Sequence, residues 1–575
     1  MSRLRCGQDF SNQVNLMAHR LNKAQLLDLF ERTAGQPWVI DTETDGLNVV
    51  GPFAPHSAWW IGLSPLGQAE VIILSREEFD CWDIASYLQN IPLIGHNIRF
   101  DLHALNLVPC VPFQDTMVHR YFGHTTGRLS LDRFAELFGW ENIPTPIELK
   151  TGKISQLPYE KLEAYLENDV ILTSKLAYQC KLDHDATRLF DDRVEMAVLR
   201  MENRGVRLIE HRLAEVEQLI ETSIRSALNV LAEEGFPPNA NPQSSIHVAE
   251  WLLDNGRKLP LTKGGKPSTN KLALEQLADQ GDRLAAAVMH YRKHFKLLTA
   301  FVKPLAEHAI DGIVYPRTNT TRTKTGRFSC DTPNLQQIPK RGVIGDALRR
   351  CFTSPLNDGI IACDFSQVEL RVAAALAQEP VLLEAFANDR CPHTEVAAKM
   401  FGKKVEDVHP LERFKAKAVN FGILNGMGAA RLSVELRSSV GFARNFLDDY
   451  RRNLPQLNSW MNGVWQEADV YRVARTVAGR SRIFGSREET RSAISVIVQG
   501  TAAELMRHSL VEVEEAGLQP ILSVHDEILT GAASEAKANQ VKEAMEHAAN
   551  NAFPSDLGSV RFKAEATTGE TWGDA

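Results

Sequence analysis

Two stretches far apart in the chain place carboxylates where an apolar strand runs out. In Gly359-Ile-Ile-Ala-Cys-Asp-Phe-Ser-Gln-Val-Glu-Leu-Arg371, the apolar run Ile360 to Cys363 predicts a buried strand that ends on Asp364. A new apolar period, Leu370, Ala373, Ala374 and Leu376, predicts a helix just after it. Ile521-Leu-Ser-Val-His-Asp-Glu-Ile-Leu529 reads as a second apolar strand with Asp526 and Glu527 at its centre. Carboxylates at a strand tip are how proteins hold hard divalent cations. Adjacent acids within an apolar strand are costly unless positive charge lies between them. The two stretches together predict a two-metal site on Asp364 and Asp526.

The N-terminal third repeats the pattern. Gln36 to Gly46 predicts a strand ending in Asp41 and Glu43, whose i, i+2 spacing puts both carboxylates on one face. Ile91 to Asp101 predicts a short strand turning into a helix, with Asn97 and Asp101 one turn apart and facing the same way. Tyr165 and Asp169 have the same i, i+4 spacing. Any one of these is ordinary surface chemistry; four acids and a tyrosine in this order make a specific constellation.

Arg413, Lys417 and Phe421 fall at i, i+4 and i+8, one helical stripe of two cations and a ring. A solvated cationic face with one core phenylalanine has the same pattern. The functional reading is that Arg413 and Lys417 hold a triphosphate while Phe421 packs on sugar and base. Thr325 to Pro339 is too rich in turn residues to be core. Within it Arg327 belongs to a basic run, and the Gln336 amide suits a groove edge.

The elements that must position these groups belong to a chain of 575 residues, enough for about four domains. Hydrophobic content of 44 % and charged content of 24 % are ordinary for a folded soluble protein and leave little room for disordered tails. Eight cysteines without a C-x-x-C pair indicate neither a disulfide framework nor a zinc site, and fit a reduced compartment. No signal peptide or membrane span is visible, so the expectation is a soluble intracellular protein.

The net charge of −8 argues against a nucleic-acid partner only on average. From Ile313 to Arg350 there are eight Lys/Arg against two Asp/Glu, and from Arg472 to Arg491 six Arg against two Glu. Solvated surface charge is the competing reading of both runs. Between 186 and 310 the signal is helical: Leu213, Val216, Ile220, Ile224, Ala227 and Leu231 keep a helical spacing that Gly235, Pro237 and Pro238 stop. Asn241 to Ser245 is suited to cap the next helix, and Leu261 to Thr269 reads as an exposed basic loop.

Asp41-x-Glu43, Asn97-x-x-x-Asp101 and Tyr165-x-x-x-Asp169 resemble the three motifs of the 3′–5′ exonucleases with four acids and a tyrosine. The resemblance implies an RNase H-like α/β fold and two Mg²⁺ or Mn²⁺ ions on Asp41, Glu43, Asp101 and Asp169. It also implies that Tyr165 orients water, that Leu47 lies near the terminal base and that Asn97 contacts DNA. In the same way Asp364 to Arg371, Arg413-x-x-x-Lys-x-x-x-Phe-Gly422 and His525-Asp-Glu527 resemble the first palm motif, the fingers helix and the last palm motif of the family A DNA polymerases. This likeness runs from about Glu195 through Trp572.

What it implies is a template-directed DNA polymerase with proofreading, in replication or repair, taking primer–template DNA and dNTPs. Asp364 and Asp526 would hold two Mg²⁺ or Mn²⁺ ions, with Glu527 in support. Glu369 would sit under the sugar and exclude a ribose 2′-OH. Arg413, Lys417 and His393 would bind the triphosphate, with Phe421 beside them. Arg327, Arg491, Gln499 and His525 would hold the primer–template junction, with Gln336 a further DNA contact.

The sequence departs from the family pattern at Phe365, Asn425, Ser495 and Cys391-Pro392 before His393, none of which is a metal ligand. The expected architecture is multidomain α/β and α+β: a lead-in over 1–30, an exonuclease over 31–185, a thumb-like helical region over 186–310, then palm over 311–378, fingers over 379–494 and palm again over 495–575. About forty residues precede Asp41, so no 5′-nuclease domain is expected, as in phage-like enzymes. The expectation is completed by a monomer in the cytoplasm of a bacterial or phage-infected cell. A dedicated exonuclease with a C-terminal nucleic-acid grip, and a non-enzymatic DNA-binding scaffold, are the competing classes; neither needs acids at both sites.

Overall fold

The computed structural model describes residues 18–19, 21–45, 58–68, 70–151, 153–180, 186–262 and 264–575. The N-terminal unit is built on a six-stranded mixed sheet of β1 (Ala18–His19), β2 (Trp38–Thr44), β3 (Ala58–Pro65), β4 (Val71–Ser75), β5 (Leu93–Gly95) and β6 (Gln114–Asp115), in the order β1-β4-β3-β2-β5-β6. Strands β2, β3 and β4 are antiparallel, while β5 runs parallel to β2 and β6 parallel to β5.

Helix α1 (Lys23–Arg32) covers one face of the sheet, packing Leu26, Leu29 and Phe30 with Trp38 and Ile40. Helix α2 (Ile98–Ala104) adds Ile98 and Leu102 to that same core. On the other face α3 (Tyr159–Cys180) sets Leu166 and Val170 against Val39, Ile73 and Ile94. The approach is close: a Cβ at Gly62 would stand 2.8 Å from Val170, so β3 requires glycine there. A core on both faces explains why β2 begins as an unbroken apolar run. Helix α1 crosses residue 30 and fills this core, so the expected division at that residue has no counterpart in the packing.

Helix α4 (Ala186–Arg204) joins the two halves of the molecule. It gives Met196 and Leu199 to the N-terminal core, and Val194, Ala197, Val198 and Met201 to the C-terminal one. The thumb-like stretch expected from 186 therefore begins with a helix embedded in both neighbours. The long helix α5 (Glu210–Glu233) follows the predicted spacing. Its first turns, Leu213, Val216 and Ile220, share a core with Ile360 and Leu522. Its far end, Leu231, belongs to a separate small core with Phe236, Val248, Leu252 and Leu284. Ser244, within the expected cap, accepts a hydrogen bond from His247 N at the head of the next helix.

The C-terminal unit is organised on an antiparallel sheet of β7 (Ile360–Phe365), β8 (Pro520–Val524), β9 (Glu527–Gly531) and β10 (Ala564–Gly569), in the order β8-β9-β7-β10. Ile360 and Ala362 face the core shared with α5, whereas Cys363 and Phe365 face a larger helical core. Alternation carries Asp364 onto the first of these faces. Helix α6 (Val368–Ala377) follows β7 as predicted. Helices α7 (Pro392–Phe401), α8 (Pro410–Leu424), α9 (Ala493–Glu515) and α10 (Glu535–Ala552) all contribute to the large core. Among the described residues no helix is long and apolar enough to cross a membrane.

One expectation fails here. Ile521 to Leu529 is not one strand but a hairpin, in which Val524 pairs with Glu527 and His525 with Asp526 forms a two-residue turn. His525 takes φ +55°, the conformation such a turn requires at its first position. Asp526 is thereby lifted out of the sheet to its tip.

Buried ion pairs lock the units together through α4. Arg480, fully buried, binds Asp191 at 2.9 Å and Glu504 at 2.7 Å. Arg507 reaches the same Asp191 and the Thr320 and Gly326 carbonyls. From the N-terminal unit Arg99 pairs with Glu195 and Glu202, and donates to the Thr318 carbonyl at 2.8 Å. Removing one partner of a buried pair strands the other charge. Arg480→Ala is therefore expected to cost about 3–5 kcal/mol in equilibrium unfolding, and a cost below about 1 kcal/mol, typical of exposed pairs, would show that this lock does little.

Candidate active sites

At the end of β7, antiparallel register sets Asp364 opposite Glu527 on one side and opposite Glu565 on the other. The Phe365 amide donates to the Asp526 carbonyl at 3.1 Å, tying the hairpin turn to the strand that carries Asp364. Three carboxylates, Asp364, Asp526 and Glu527, thus meet at one end of the sheet. Glu369 stands just beyond, in the first turn of α6. Burial raises the pKa of Asp526, Glu527 and Glu369, and the Asp364 charge adds to the rise at Asp526 and Glu527.

Cations offset this crowding. Arg327 is paired with Glu369 and lies 3.8 Å from Asp526. Lys340 Nζ is 3.2 Å from Asp364 and 3.8 Å from Glu527. Arg349 Nη1 is 3.8 Å from Glu527 and its guanidinium lies 4.0 Å above the Trp572 ring, whose Nε1 donates to Glu527 at 3.2 Å. Lys340, Arg349 and Trp572 were missed in the sequence, where nothing local links them to the acids. Buried carboxylates held at raised pKa fit a site for divalent cations.

On α8, Arg413 and Lys417 are exposed and Phe421 is half-buried, while Ala416, Val419, Asn420 and Ile423 are buried. His393, at the start of α7, is nearly inaccessible and its ring centre lies 5.4 Å from that of Phe421. Its Nδ1 accepts from the Asn420 amide at 2.8 Å. Burial first, then Lys417 and Arg413, push its pKa down to about 4, so it is neutral at pH 7. It is therefore a hydrogen-bonding group rather than a third cation. Gln499 bonds Asn425, the residue closing α8, and Arg491 is exposed just before α9. The Gln336 amide donates to the Ser523 carbonyl at 3.1 Å, so that amide serves the hairpin instead of facing a groove.

The two basic runs are largely spent on such pairs. Arg317 and Arg322 bind Asp331, Arg350 binds Asp574, and Arg480 and Arg482 are buried. The free positive field expected from counting charges is correspondingly smaller.

In the N-terminal unit, Asp41, Glu43 and Asp169 present carboxylate oxygens within 4.8 Å of one another. Asp101 joins them from α2, its Oδ1 fixed by the Thr42 amide at 2.9 Å and hydroxyl at 2.7 Å. Asn97 is exposed in the left-handed turn (φ +67°) that starts α2, whereas Asp101 is buried, so the two do not share an outward face as expected. Tyr165 is 7 % accessible and donates to Thr145 Oγ1 at 3.2 Å. Leu47 lies outside the described residues.

Burial raises Asp41 and Glu43 well above the usual carboxylate range, reinforced by their acidic neighbours. Burial also lifts Asp101 to about 8 and Asp169 to about 7. Four like charges in a buried site fit a divalent cation better than any other occupant.

Residues 210–574 match the family model described as DNA polymerase family A. The chain is 34 % identical over 392 residues to a thermostable DNA polymerase I of Thermus thermophilus, covering 65 % of this chain and 46 % of that protein. It is 34 % identical over 515 residues to DNA polymerase I of Pseudomonas aeruginosa (84 % and 54 % covered), and 28 % identical over 598 residues to that of Borreliella burgdorferi (96 % and 64 %). The chain spans about half the length of the Thermus proteins it matches. In fold it resembles the POL domain of Pol1 from M. smegmatis, solved in complex with DNA primer-template and dNTP, with a TM-score of 0.82, 22 % identity, and 97 % and 99 % of the two chains covered.

The raised carboxylates make a signed prediction. A carboxyl whose folded pKa lies above its unfolded value binds more protons when folded, so stability falls as pH rises between the two values. For Asp169 that window runs from its ordinary value of 3.8 to about 7. In EDTA, Asp169→Asn should melt above the wild type at pH 8, and the gain should vanish by pH 4. A gain that is constant with pH would contradict ionic crowding at this site.

Proposed function

This chain belongs to DNA polymerase family A, and on that premise we propose that it is a DNA-dependent DNA polymerase with a 3′–5′ proofreading exonuclease. The observation that carries the first half is the β7–β9 pairing, which brings Asp364 and the Asp526 turn to one end of a sheet. That sheet shares its core with the cation-bearing helix α8. In the proposed reaction the primer 3′-oxygen attacks the α-phosphorus of a dNTP, and pyrophosphate leaves. Asp364 and Asp526, supported by Glu527, would hold the Mg²⁺ or Mn²⁺ ions, which when bound lower the pKa of the 3′-OH and neutralise the leaving group.

The chain's own groups orient the reactants. Arg413 and Lys417, projecting from α8, hold the triphosphate, the arginine through its planar fork and the lysine as a point charge. Neutral His393, its Nδ1 occupied by Asn420, has Nε2–H left to donate to a phosphate oxygen. Phe421 packs on the sugar and base. Glu369, held by Arg327, lies under the sugar, where a 2′-OH would meet it. Arg327, Arg491, Gln499 and His525 hold the primer–template junction. Gln336 supports that junction indirectly, through Ser523.

The N-terminal sheet, with β5 and β6 parallel to β2 and β3 and β4 antiparallel to it, supports an RNase H-like reading. Asp41, Glu43, Asp101 and Asp169 would hold the ions there, and Tyr165, one turn from Asp169, would orient the water that cleaves the terminal phosphodiester. Asn97, exposed at the start of α2, would touch the strand end.

Wild-type protein with Mg²⁺ and dNTPs should lengthen a primed template in a gel assay, and failure to do so would remove the polymerase reading. Asp364→Ala should slow extension by on the order of 10³-fold while leaving primer degradation intact, and Asp41→Ala should do the reverse. Loss of both activities in either variant would contradict two independent sites. Glu369→Ala should raise the ratio of ribonucleotide to deoxyribonucleotide incorporation; an unchanged ratio would take away its proposed role as sugar gate.

A further inference from the structure

Lys340 occupies a position that neither the metal ligands nor the triphosphate clamp accounts for. Its ammonium touches two carboxylates at once, Asp364 at 3.2 Å and Glu527 at 3.8 Å. The loop that carries it is fixed: Leu335 and Ile338 are buried, and Gln336 bonds the Ser523 carbonyl. Glu527 is fixed as well, 9 % exposed and held from behind by Trp572 Nε1 and Arg349. The lysine side chain is the movable member, 63 % exposed on a flexible stem.

We propose that Lys340 is a positioning residue that stands in for the divalent cation when none is bound. It neutralises Asp364 and Glu527 in the metal-free protein, keeps the β7–β9 ladder from splaying under like-charge repulsion, and must withdraw before an ion can be held by Asp364. The inference rests on the reading of Asp364 and Asp526 as a cation site. The ammonium and a divalent ion both draw on the Asp364 charge, so Lys340 is a competitor whose removal tightens the site.

The test is Mn²⁺ binding to the full chain without DNA, measured by electron paramagnetic resonance of the free ion. It is done in an Asp41→Ala/Glu43→Ala background, so that the N-terminal acids do not contribute. Lys340→Met, which keeps the stem and removes the charge, should bind Mn²⁺ about threefold more tightly, the shift expected for losing a half-exposed ion pair. Lys340→Arg should return the affinity to that of the parent. Unchanged or weaker binding by Lys340→Met, with a parent site that Asp364→Ala abolishes, overturns the stand-in role alone. A parent with no Asp364-dependent Mn²⁺ binding overturns the cation site and, with it, this proposal.

Discussion

Like charges held face to face across a β-ladder are the constraint around which the C-terminal unit is built. Asp364 on β7 is paired in register with Glu527 on β9, and the same register leaves Asp526 at the tip of the β8–β9 turn. A one-residue slip would turn Asp364 toward the helical core of Cys363 and Phe365, where a charge has no partner. The apolar alternation on both faces of β7 therefore specifies the site as much as the acids do. The repulsion that remains is met by Arg327, Lys340 and Arg349, which come from the segment that runs up to β7.

The N-terminal site solves the same problem differently. Among the described residues, no lysine or arginine is paired with Asp41, Glu43, Asp101 or Asp169, and their pKa values are correspondingly high. One site keeps cations as companions of its carboxylates; in the other, burial and the acids' own mutual repulsion raise the carboxyl pKa values. Both rest on a rigid frame, because the acids of α4 bind Arg99 and His119 from one unit and Arg480 and Arg507 from the other. With these charges buried, the spacing of the two sites is set by packing rather than by a linker.

Much of this was legible in the sequence wherever a local period carried it. The change from period two to helical spacing at Asp364 marked β7 and α6, and the stripe of Arg413, Lys417 and Phe421 marked the outer side of α8. The hairpin was not legible, because His525-Asp526 lacks the Asn-Gly signature of two-residue turns and the apolar residues on either side read as one strand. Non-glycine residues with positive φ flank the acids (Asn97, Gln367 and His525), and no glycine marks those positions in the sequence. Charge counting misled for a related reason. Whether Arg480 or Arg317 faces solvent depends on Asp191 and Asp331, and tertiary contact alone decides that pairing. The same holds for Lys340 and Trp572, whose tie to Glu527 crosses the whole C-terminal unit.

The most direct measurement is anomalous diffraction from crystals grown with primer–template, a non-hydrolysable dNTP and Mn²⁺. The expected result is manganese density between the carboxylates of Asp364 and Asp526, against the nucleotide's phosphates, with Lys340 displaced from Asp364. Bound nucleotide with no manganese between those two residues, or with Lys340 still seated on Asp364, would contradict the reading of this strand end and hairpin turn as the polymerase centre.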